Sequence, residues 1–206
     1  MKGETVHSTT ESGGEKVDAK KLKSLIGKLD TLSTREPKAR VEAMKSVFDS
    51  VPEPLDAHAE QMPGPTGESN ILTNHARGTV LCLGPDKETA IEQMTMALAQ
   101  GNKAVVIALG INHTLERAAM AGLPVVGIEG RLDADAVEKV DGFDAVVSCA
   151  KPSLLKPYRQ ALMKRDGALV PLITEHKLDQ RYVIERHLCV DTTAAGGNAS
   201  LIAASE

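Results

Sequence analysis

Five short apolar runs between residues 80 and 173 constrain the fold of this chain more than any other feature. In chain order the runs are VLCLG (80–84), AVVIALG (104–110), VVGIEG (125–130), DAVVSCA (144–150) and ALVPLI (168–173). Runs that are apolar throughout, without alternation, are typical of strands buried on both faces. Such strands occur in parallel sheets whose two faces are covered by helices.

The segments between these runs have helical periodicity, as a covered parallel sheet requires. The predicted helices span 87–100, 114–121, 133–140 and 154–165, and Asp86 is a candidate N-cap for the first of them. Because strands and helices alternate, we predict an α/β fold with a Rossmann-like, doubly wound domain over residues 80–175. Its sheet would be mainly parallel with about five strands. Pro171 favours an edge position for the last strand.

A small helical segment, residues 17–54, precedes the predicted sheet domain. Its first helix has an apolar stripe with helical spacing, formed by Leu22, Leu25, Ile26 and Leu29. Its second helix runs from about residue 35 to residue 50, with Thr34 as a candidate N-cap and Pro52 beyond its end. Residues 1–16 are polar and show no period, so we expect a flexible N-terminus there.

Two further segments flank the sheet domain and lack helical patterns. Residues 55–79 are interrupted by prolines and glycines, at Pro63, Gly64, Pro65 and Gly67. We therefore predict an extended Pro/Gly connector there. Residues 176–206 follow the last predicted strand and contain two parts. Residues 181–191 favour an extended β ribbon, and 192–206 form a glycine-bearing tail that is either disordered or bound in a groove of another surface.

Charge and composition exclude two classes of protein. The formal net charge is −4 at pH 7 and aromatic residues make up 2% of the chain, which disfavours a nucleic-acid binder. No apolar run approaches the ~20 residues that a transmembrane helix needs. The three cysteines do not form a disulfide framework, since Cys82, Cys149 and Cys189 are far apart. These features predict a cytoplasmic protein with no transmembrane segment and no nucleic-acid partner.

The turn after the first apolar run tests whether the sheet binds a nucleotide. Ligands of open α/β sheets lie at the carboxyl ends of the strands, and this turn is LGPDKET at 83–89. It has no G-x-G-x-x-G motif, Pro85 lacks an N–H, and Asp86 would oppose a phosphate at the helix start. We therefore predict no cofactor-binding residue in this chain. A small independent nucleotide-binding protein or oxidoreductase built on the same sheet is the alternative.

The cysteines and histidines show no catalytic or metal-binding pattern. The six histidines are not paired at helical spacing, and no C-x-x-C or H-x-x-x-H motif is present. Cys149 lies at the end of the fourth run near Lys151, and a neighbouring cation lowers the pKa of a thiol. No partner base is identifiable, so a structural role for Cys149 is favoured. We predict no catalytic residue and no metal ligand.

Four segments of the chain carry a family resemblance: MPGPTGESN (62–70), RGTVLCLG (77–84), DAVVSCAKPSLLKPYRQALMKRDGALVPL (144–172) and VDTTAAGGNASL (190–201). They resemble the carboxyl-terminal region of proline utilization A, a family of large bifunctional or trifunctional bacterial flavoenzymes. The resemblance covers about residues 55–206, and the glycine-rich tail is its most specific part.

The resemblance implies a parent polypeptide that oxidises proline with FAD in one domain and glutamate semialdehyde with NAD in another. This chain would be the C-terminal domain of that parent. It would be an aldehyde-dehydrogenase-superfamily-like domain that has lost catalysis and covers the channel between the two active sites. Its partners would be the dehydrogenase domains of the parent chain, or a second copy in a homo-oligomer. The parent would be cytoplasmic or peripheral at the inner membrane face.

The resemblance also implies interaction residues in two places. They are Gly64, Pro65, Thr66, Gly67 and Asn70 in the connector, and Thr192, Thr193, Gly196, Gly197 and Asn198 in the tail. Two adjacent glycines in the tail allow close backbone approach to another surface. We expect the tail to act across domains, with strand addition to a partner's sheet edge as the mode of binding.

Overall fold

The computed structural model of the protein describes residues 14–35, 37–54, 59–65 and 67–191. The strands are β1 (Glu15–Val17), β2 (Glu60–Met62), β3 (Glu68–Ala76), β4 (Thr79–Cys82), β5 (Lys103–Ile107), β6 (Val125–Ile128), β7 (Gly130–Leu132), β8 (Ala145–Val147), β9 (Leu172–Ile173) and β10 (Val183–Asp191). The helices are α1 (Ala19–Asp30), α2 (Pro37–Lys45), α3 (Lys87–Ala99), α4 (Asn112–Met120), α5 (Ala134–Lys139) and α6 (Pro152–Met163). A 3₁₀ turn at Asp179–Tyr182 leads into β10. Within the described ranges, no helix has the length and apolar character needed to cross a membrane.

The centre of the fold is a parallel sheet of five strands in the order β6-β5-β4-β8-β9. Every neighbouring pair in this sheet is parallel. From β4 the chain moves outward through β5 to β6, and then crosses to the other side of β4 to form β8 and β9. This reversal makes the sheet doubly wound, which confirms the predicted fold class. Pro171 directly precedes β9, so the edge position expected from that proline is confirmed as well.

Alternate residues of the parallel sheet point into two apolar cores, one on each face. In β4, Val80 and Cys82 belong to the core that includes residues of α2, α3 and α4. Leu81 points the other way, into the core that includes residues of α1, α5 and α6. In β5, Val106 and Val105 divide between the two cores in the same manner. Because both faces are buried, successive positions of these two strands are apolar rather than alternate positions, apart from Thr79 and Lys103 at their first residues.

The predicted helical segment packs on the sheet, with one helix on each face. α1 begins after Asp18, whose Oδ1 accepts a hydrogen bond from Lys21 N at 2.9 Å. The stripe expected from its sequence is buried, at Leu22, Leu25, Ile26 and Leu29. α2 ends at Lys45, earlier than the predicted residue 50. The N–H groups of Val47 and Phe48 both donate to Met44 O at 2.9 Å, and this tight turn closes the helix.

The expectation of a flexible segment over residues 1–16 is wrong at its carboxyl end. Glu15 to Val17 form β1, which pairs in parallel with β7 through Glu15 and Gly130. Val17 is fully buried and belongs to the core that contains α1. A Cβ on Gly130 would lie 2.3 Å from Glu15 O, so the missing side chain is what admits the neighbouring strand. Residues 1–13 lie outside the described part of the chain.

The predicted connector over residues 55–79 is also corrected, because much of it is sheet. β2 and β3 lie within it, and β3 pairs along its whole length with β10. The prolines and glycines that suggested a connector are confined to residues 63–67, between the two strands. The ribbon expected over residues 181–191 is confirmed, since β10 occupies nearly all of that range.

Replacing Leu22 with alanine is expected to lower the free energy of unfolding by about 2–5 kcal/mol, because this fully buried side chain joins α1 to the core. Urea denaturation of the purified chain measures the loss. Lys23→Ala changes the next residue of the same helix, which is exposed, and should cost less than about 0.5 kcal/mol. Equal losses for the two variants would show that α1 is not part of the sheet domain.

Candidate functional site

An antiparallel ribbon formed by β2, β3 and β10 is the first candidate for a functional surface. Its strand order is β10-β3-β2, and β3 and β10 pair from Glu68↔Asp191 to Ala76↔Val183. After Val183 every residue of β10 is exposed, so the strand extends away from the parallel sheet. No described strand pairs with the outer edge of β10. An open edge of this kind can accept a strand from another surface.

One face of the ribbon carries an exposed apolar stripe. Successive side chains of a strand point to opposite faces, so Ile184, Leu188 and Val190 of β10 share one face. Their exposed fractions are 37%, 57% and 43%, respectively. Ile71 of β3 lies opposite Leu188 and extends the stripe onto the second strand. The exposed Arg186 lies on the same face and adds one cationic group.

The opposite face of the ribbon carries several acidic groups. Glu185 and Asp191 of β10 point to that side, and so does Glu68 of β3, which pairs with Asp191. Glu60 of β2 shares the face because it pairs with Leu72, which also points there. Leu72 and Met62 share this face, so the ribbon is amphipathic mainly through β10, whose large exposed apolar side chains all lie on the other face. Its apolar face is the one that gains free energy when another surface covers it.

The end of the ribbon nearest the parallel sheet, where β10 begins and β3 ends, is called its root here. A buried asparagine fixes this root to the sheet. Asn102 is fully buried before β5, and its Nδ2 donates to Tyr182 O at 2.9 Å and to a carbonyl at the end of α3 at 3.1 Å. Its Oδ1 accepts from Gly78 N at 3.0 Å. One amide thus joins the residue before β10, the end of α3 and the residue before β4. Arg77 adds a further hydrogen bond at this end of the ribbon, because its Nε donates to Arg181 O at 2.7 Å.

Of the interaction residues predicted in the connector, Gly64, Pro65 and Gly67 lie in the turn between β2 and β3, and Asn70 lies near the start of β3. Glu68 N donates to Pro65 O at 3.1 Å, which closes the turn. Gly67 has a φ of 93°, in the left-handed region that favours glycine. A Cβ on Gly64 would lie 2.3 Å from Asn70 Nδ2, so this glycine leaves room for the buried asparagine. The structure thus brings Gly64 and Asn70 together at this end of the ribbon.

The remaining predicted interaction residues lie outside the described part of the chain. They are Thr66 in the connector and Thr192, Thr193, Gly196, Gly197 and Asn198 in the tail. Their role stays a prediction. Sequence reasoning missed the apolar stripe of the ribbon, although Ile184, Leu188 and Val190 are separated by even numbers of positions. The larger set Tyr182, Ile184, His187 and Val190 is not strictly in phase, and this hid the regular spacing.

A second candidate is a cleft of about 590 Å³ at the carboxyl edge of the parallel sheet. It is next to the place where the strand order reverses, which is where open α/β sheets bind ligands. Its walls are mainly apolar and include Leu83, Leu109, Leu154 and Pro157. The volume falls within the range of small-molecule sites, so its polar groups decide whether a ligand would be held.

The polar groups that line the cleft make hydrogen bonds and ion pairs within the protein. Ser148 Oγ donates to the carbonyl after β4 at 2.8 Å, and Tyr158 Oη donates to Leu132 O at 2.6 Å. Burial raises the pKa of Tyr158, so its hydroxyl keeps the proton that it donates. Lys16 and Asp133 form an ion pair of 2.7 Å at the rim. The hydrogen bond from Lys16 lowers the pKa of Asp133, so this carboxylate stays ionised.

The start of α3, at one end of the cleft, does not suit a phosphate. Asp86 is the N-cap, as predicted, and its Oδ1 accepts from Thr89 N at 2.8 Å. That hydrogen bond lowers the pKa of Asp86, so an ionised carboxylate occupies the position that an anionic ligand would need. A Cβ on Gly84 would lie 2.4 Å from Ala90 N. The one glycine of this turn therefore serves the close packing of helix on strand.

The cysteines of the sheet domain are not activated nucleophiles. Cys82 is fully buried in β4, and burial raises its pKa. Cys149 accepts from Gln93 Nε2 at 3.6 Å and donates to Glu175 O at 3.6 Å. Partial burial raises the pKa of Cys149, which is opposite to the lowering that Lys151 could cause. Among the residues that the structure describes, no group of three or more His, Cys, Asp and Glu could hold a metal ion.

Comparison of the amino-acid sequence with known proteins shows which proteins the chain is related to. The chain is 32% identical over 194 residues to bifunctional protein PutA of Escherichia coli (strain K12), covering 90% of this chain and 14% of that protein. It is 35% identical over 148 residues to bifunctional protein PutA of Salmonella typhimurium, covering 68% of this chain and 11% of that protein. The chain is related to PutA. It spans only a small part of the length of these PutA proteins.

A solved structure of PutA from Bradyrhizobium japonicum is also similar to the chain. The two are 26% identical, with a TM-score of 0.46, over 66% of this chain and 14% of that chain. No protein-family model matches the sequence. The sequence relationship to PutA confirms the resemblance that the connector, sheet and tail segments indicate.

Millimolar NAD is expected to leave the melting temperature of the chain unchanged, because Pro85 and Asp86 do not suit a phosphate at the start of α3. A ligand at 100 times its Kd that binds only the folded state would add ~2.7 kcal/mol of stability. Differential scanning calorimetry measures the shift, with sodium pyrophosphate at equal ionic strength as the control for salt. A saturable rise with NAD alone would favour the nucleotide-binding alternative.

Asn102→Ala is expected to lower the free energy of unfolding by about 1–3 kcal/mol, because buried backbone groups on three elements lose their partner. Hydrogen exchange measured by mass spectrometry should accelerate more in β3 and β10 than in β5. Asn112→Ala removes an exposed asparagine and is the matched control. Equal acceleration in the ribbon and the parallel sheet would contradict a role for Asn102 as the root of the ribbon.

Proposed function

We propose that this chain is a noncatalytic structural and interaction domain of a bifunctional or trifunctional proline-catabolic enzyme. Other domains of that enzyme would act as a proline dehydrogenase with FAD and as a 1-pyrroline-5-carboxylate dehydrogenase with NAD. This domain would contact the dehydrogenase domains and cover the substrate channel between their active sites. The enzyme would work in the cytoplasm, free or peripheral at the inner membrane face. The exposed apolar face of the ribbon is the observation that carries the proposal.

The ribbon supports an interaction role through both its side chains and its backbone. Fully burying a Leu, Ile or Val side chain contributes about 1.5–3 kcal/mol relative to full exposure. Partial cover of Ile184, Leu188 and Val190 would therefore contribute a few kcal/mol to binding. The open edge of β10 adds main-chain hydrogen bonds, and Arg186 on the apolar face can orient the partner through an acidic group.

The tail follows β10 directly and would engage the same partner. Residues 192–206 continue the chain from the end of the exposed strand, and their predicted interaction residues begin at Thr192. A strand added to a partner's sheet would carry these small residues along the same surface. The relationship of the chain to PutA supports a dehydrogenase domain of the same polypeptide as that partner, or the equivalent surface of a second copy.

The cleft and the cysteines support a noncatalytic role. Ser148, Tyr158 and Asp133 are each hydrogen-bonded or ion-paired within the protein rather than directed at a ligand. Cys82 and Cys149 have raised pKa values, whereas a nucleophilic cysteine of a dehydrogenase needs an accessible thiolate. Catalysis in the proposed enzyme would therefore belong to its other domains.

Leu188→Asp in the full-length enzyme is expected to lower the coupled conversion of proline to glutamate several-fold, because a carboxylate would replace the centre of the apolar stripe. The rate of NADH formation with proline as substrate measures this conversion. The same substitution in the isolated chain should change the melting temperature little, since the side chain is exposed there.

Glu185→Gln is the matched control, because it alters the opposite face of the same strand. It should leave coupled conversion unchanged. If Leu188→Asp also leaves coupled conversion and the oligomeric state of the full-length enzyme unchanged, the ribbon is not the contact surface and the proposal fails.

The isolated chain is expected to show no proline dehydrogenase activity and no semialdehyde dehydrogenase activity. The physical reasons are that burial raises the pKa of Cys82 and of Cys149, and that the chain has no space for a flavin-binding barrel, which alone takes ~250 residues. NAD reduction with the semialdehyde, followed by absorbance, should stay at background. Turnover that disappears in a Cys149→Ala variant would contradict the noncatalytic assignment.

A further inference from the structure

The connection between α6 and β9, residues 164–171, exposes apolar side chains that the fold does not use. We call it the amino-edge loop, because it lies at the edge where the strands of the parallel sheet begin. Leu169 in this loop is 98% exposed, and Met163, the last residue of α6, is 84% exposed. Among the described large apolar side chains only Met120 is comparably exposed. Single exposed apolar residues are common, so the rigidity and the position of the loop decide whether it suits a partner.

A buried arginine holds the beginning of the amino-edge loop. The side chain of Arg165 is 7% exposed, and its Nη1 donates to Val137 O at 2.5 Å and to Val140 O at 2.6 Å, at the end of α5. Its Nη2 forms an ion pair with Asp141 Oδ1 at 2.8 Å. The guanidinium also lies 4.6 Å from the ring centre of Phe143, a favourable cation–π distance. These contacts fix the direction in which the chain leaves α6.

The parallel sheet holds the end of the amino-edge loop. Pro171 O accepts a hydrogen bond from Val146 N of β8 at 3.0 Å. Gly167 has a φ of 88°, in the left-handed region that favours glycine, and this allows the chain to turn between its two fixed ends. Only residues 166–169 of the loop are exposed between these ends. A partner that covers Leu169 therefore has few residues to order, which lowers the entropy cost of binding.

The amino-edge loop and the root of the ribbon lie at the same edge of the parallel sheet. β3 leads into β4 through Arg77 and Gly78, so the root lies where β4 begins. The strand order β4-β8-β9 places the beginning of β9 two strands away, which is roughly 10 Å at the usual strand spacing. A standard interface covers about 800 Å² of each partner, a patch roughly 28 Å across. One partner surface is therefore large enough to contact both elements.

We propose that the amino-edge loop is a second docking element, with Leu169 and Met163 as its apolar contacts, for the dehydrogenase domain that the ribbon contacts. The identity of this partner rests on the proposed function. The chain corresponds to 14% of the length of PutA of Escherichia coli, so most of such a polypeptide lies outside the structure and is available as the partner. The partner surface needs an apolar pocket that accepts one leucine side chain.

Oxidation of methionine by hydrogen peroxide, measured by mass spectrometry of the peptides, tests whether the loop is covered. Met163 should oxidise several-fold more slowly in the full-length enzyme than in the isolated chain, because the partner domain would cover it. Met94 is fully buried and should oxidise slowly in both proteins, so it serves as the internal reference. Equal oxidation rates of Met163 in the two proteins would overturn the proposal.

Two substitutions of Leu169 test the apolar contact itself. Leu169→Met keeps an apolar side chain and adds a second probe, which should oxidise rapidly in the isolated chain and slowly in the full-length enzyme. Leu169→Asp should raise the oxidation rate of Met163 in the full-length enzyme towards its rate in the isolated chain, because burying a carboxylate in an apolar pocket is costly. Neither substitution should change the melting temperature of the isolated chain, since the side chain is exposed there. Full protection of Met163 in the Leu169→Asp enzyme would overturn the proposal.

Dilution of the full-length enzyme distinguishes the same polypeptide from a second copy as the partner. A domain of the same polypeptide protects Met163 at every enzyme concentration, whereas protection by a second copy falls when the oligomer dissociates. Protection that is lost on dilution would overturn the partner that we propose.

The loop and the ribbon are tested by separate measurements, so their failures are distinguishable. If Leu188→Asp lowers coupled conversion while Met163 is unprotected, the amino-edge loop is not a docking element and the proposed function stands. If Met163 is protected while Leu188→Asp has no effect, the loop is a contact surface and the ribbon is not.

Discussion

The parallel sheet needs cover on both faces, and this requirement organises the molecule. The helices that connect its strands provide incomplete cover, because α3 and α4 pack on one face while α5 and α6 pack toward β8 on the other. α1 contacts β5, β6 and α5 and fills the part of the second face that would otherwise face water. A helix from outside the alternating pattern is therefore as much a part of the core as the strands. β1 holds the beginning of this helix in place by pairing with β7.

The same requirement connects the ribbon to the core on the first face. Tyr182 belongs to the core that contains Val147 of β8 and Ile173 of β9, so the residue before β10 covers the short strands at that end of the sheet. Asn102 donates a hydrogen bond to the backbone carbonyl of this tyrosine, and the side chain of Tyr182 faces α3. The exposed part of the ribbon begins two residues later, at Ile184. A surface suited to binding is thus continuous with a buried and well-packed support.

The sequence was sufficient to predict those elements whose pattern is local. Continuous apolar runs identified the five strands of the parallel sheet, and Asp86 was recognised as an N-cap because its carboxylate acts within one helical turn. β1 and β3 were missed because each is stabilised by a partner far along the chain, β7 and β10. A three-residue strand such as Glu15–Val17 has no period long enough to detect.

The position of the candidate sites was predicted better than their chemistry. The carboxyl edge of the sheet was the expected place for a cleft, and the cleft is there. That Ser148 and Tyr158 donate to backbone carbonyls depends on tertiary contacts that no spacing reveals. The apolar face of the ribbon depends on strand register, which places Ile71 beside Leu188 only once β3 and β10 are paired.

Because β10 is long, a small rotation of the ribbon where it leaves the core causes a large displacement at its far end. Its nine residues rise by about 3.3 Å each, so Asp191 lies roughly 26 Å from Val183, where the strand leaves the core. A tilt of about 10° at the root would move the far end by roughly 5 Å, which is the spacing between neighbouring strands in a sheet. Small errors in the hydrogen bonds around Asn102 and Tyr182 are therefore magnified at the end from which the glycine-rich residues continue. Accurate contact at that distance requires a rigid attachment of the ribbon to the core, and the buried hydrogen bonds of Asn102 provide one.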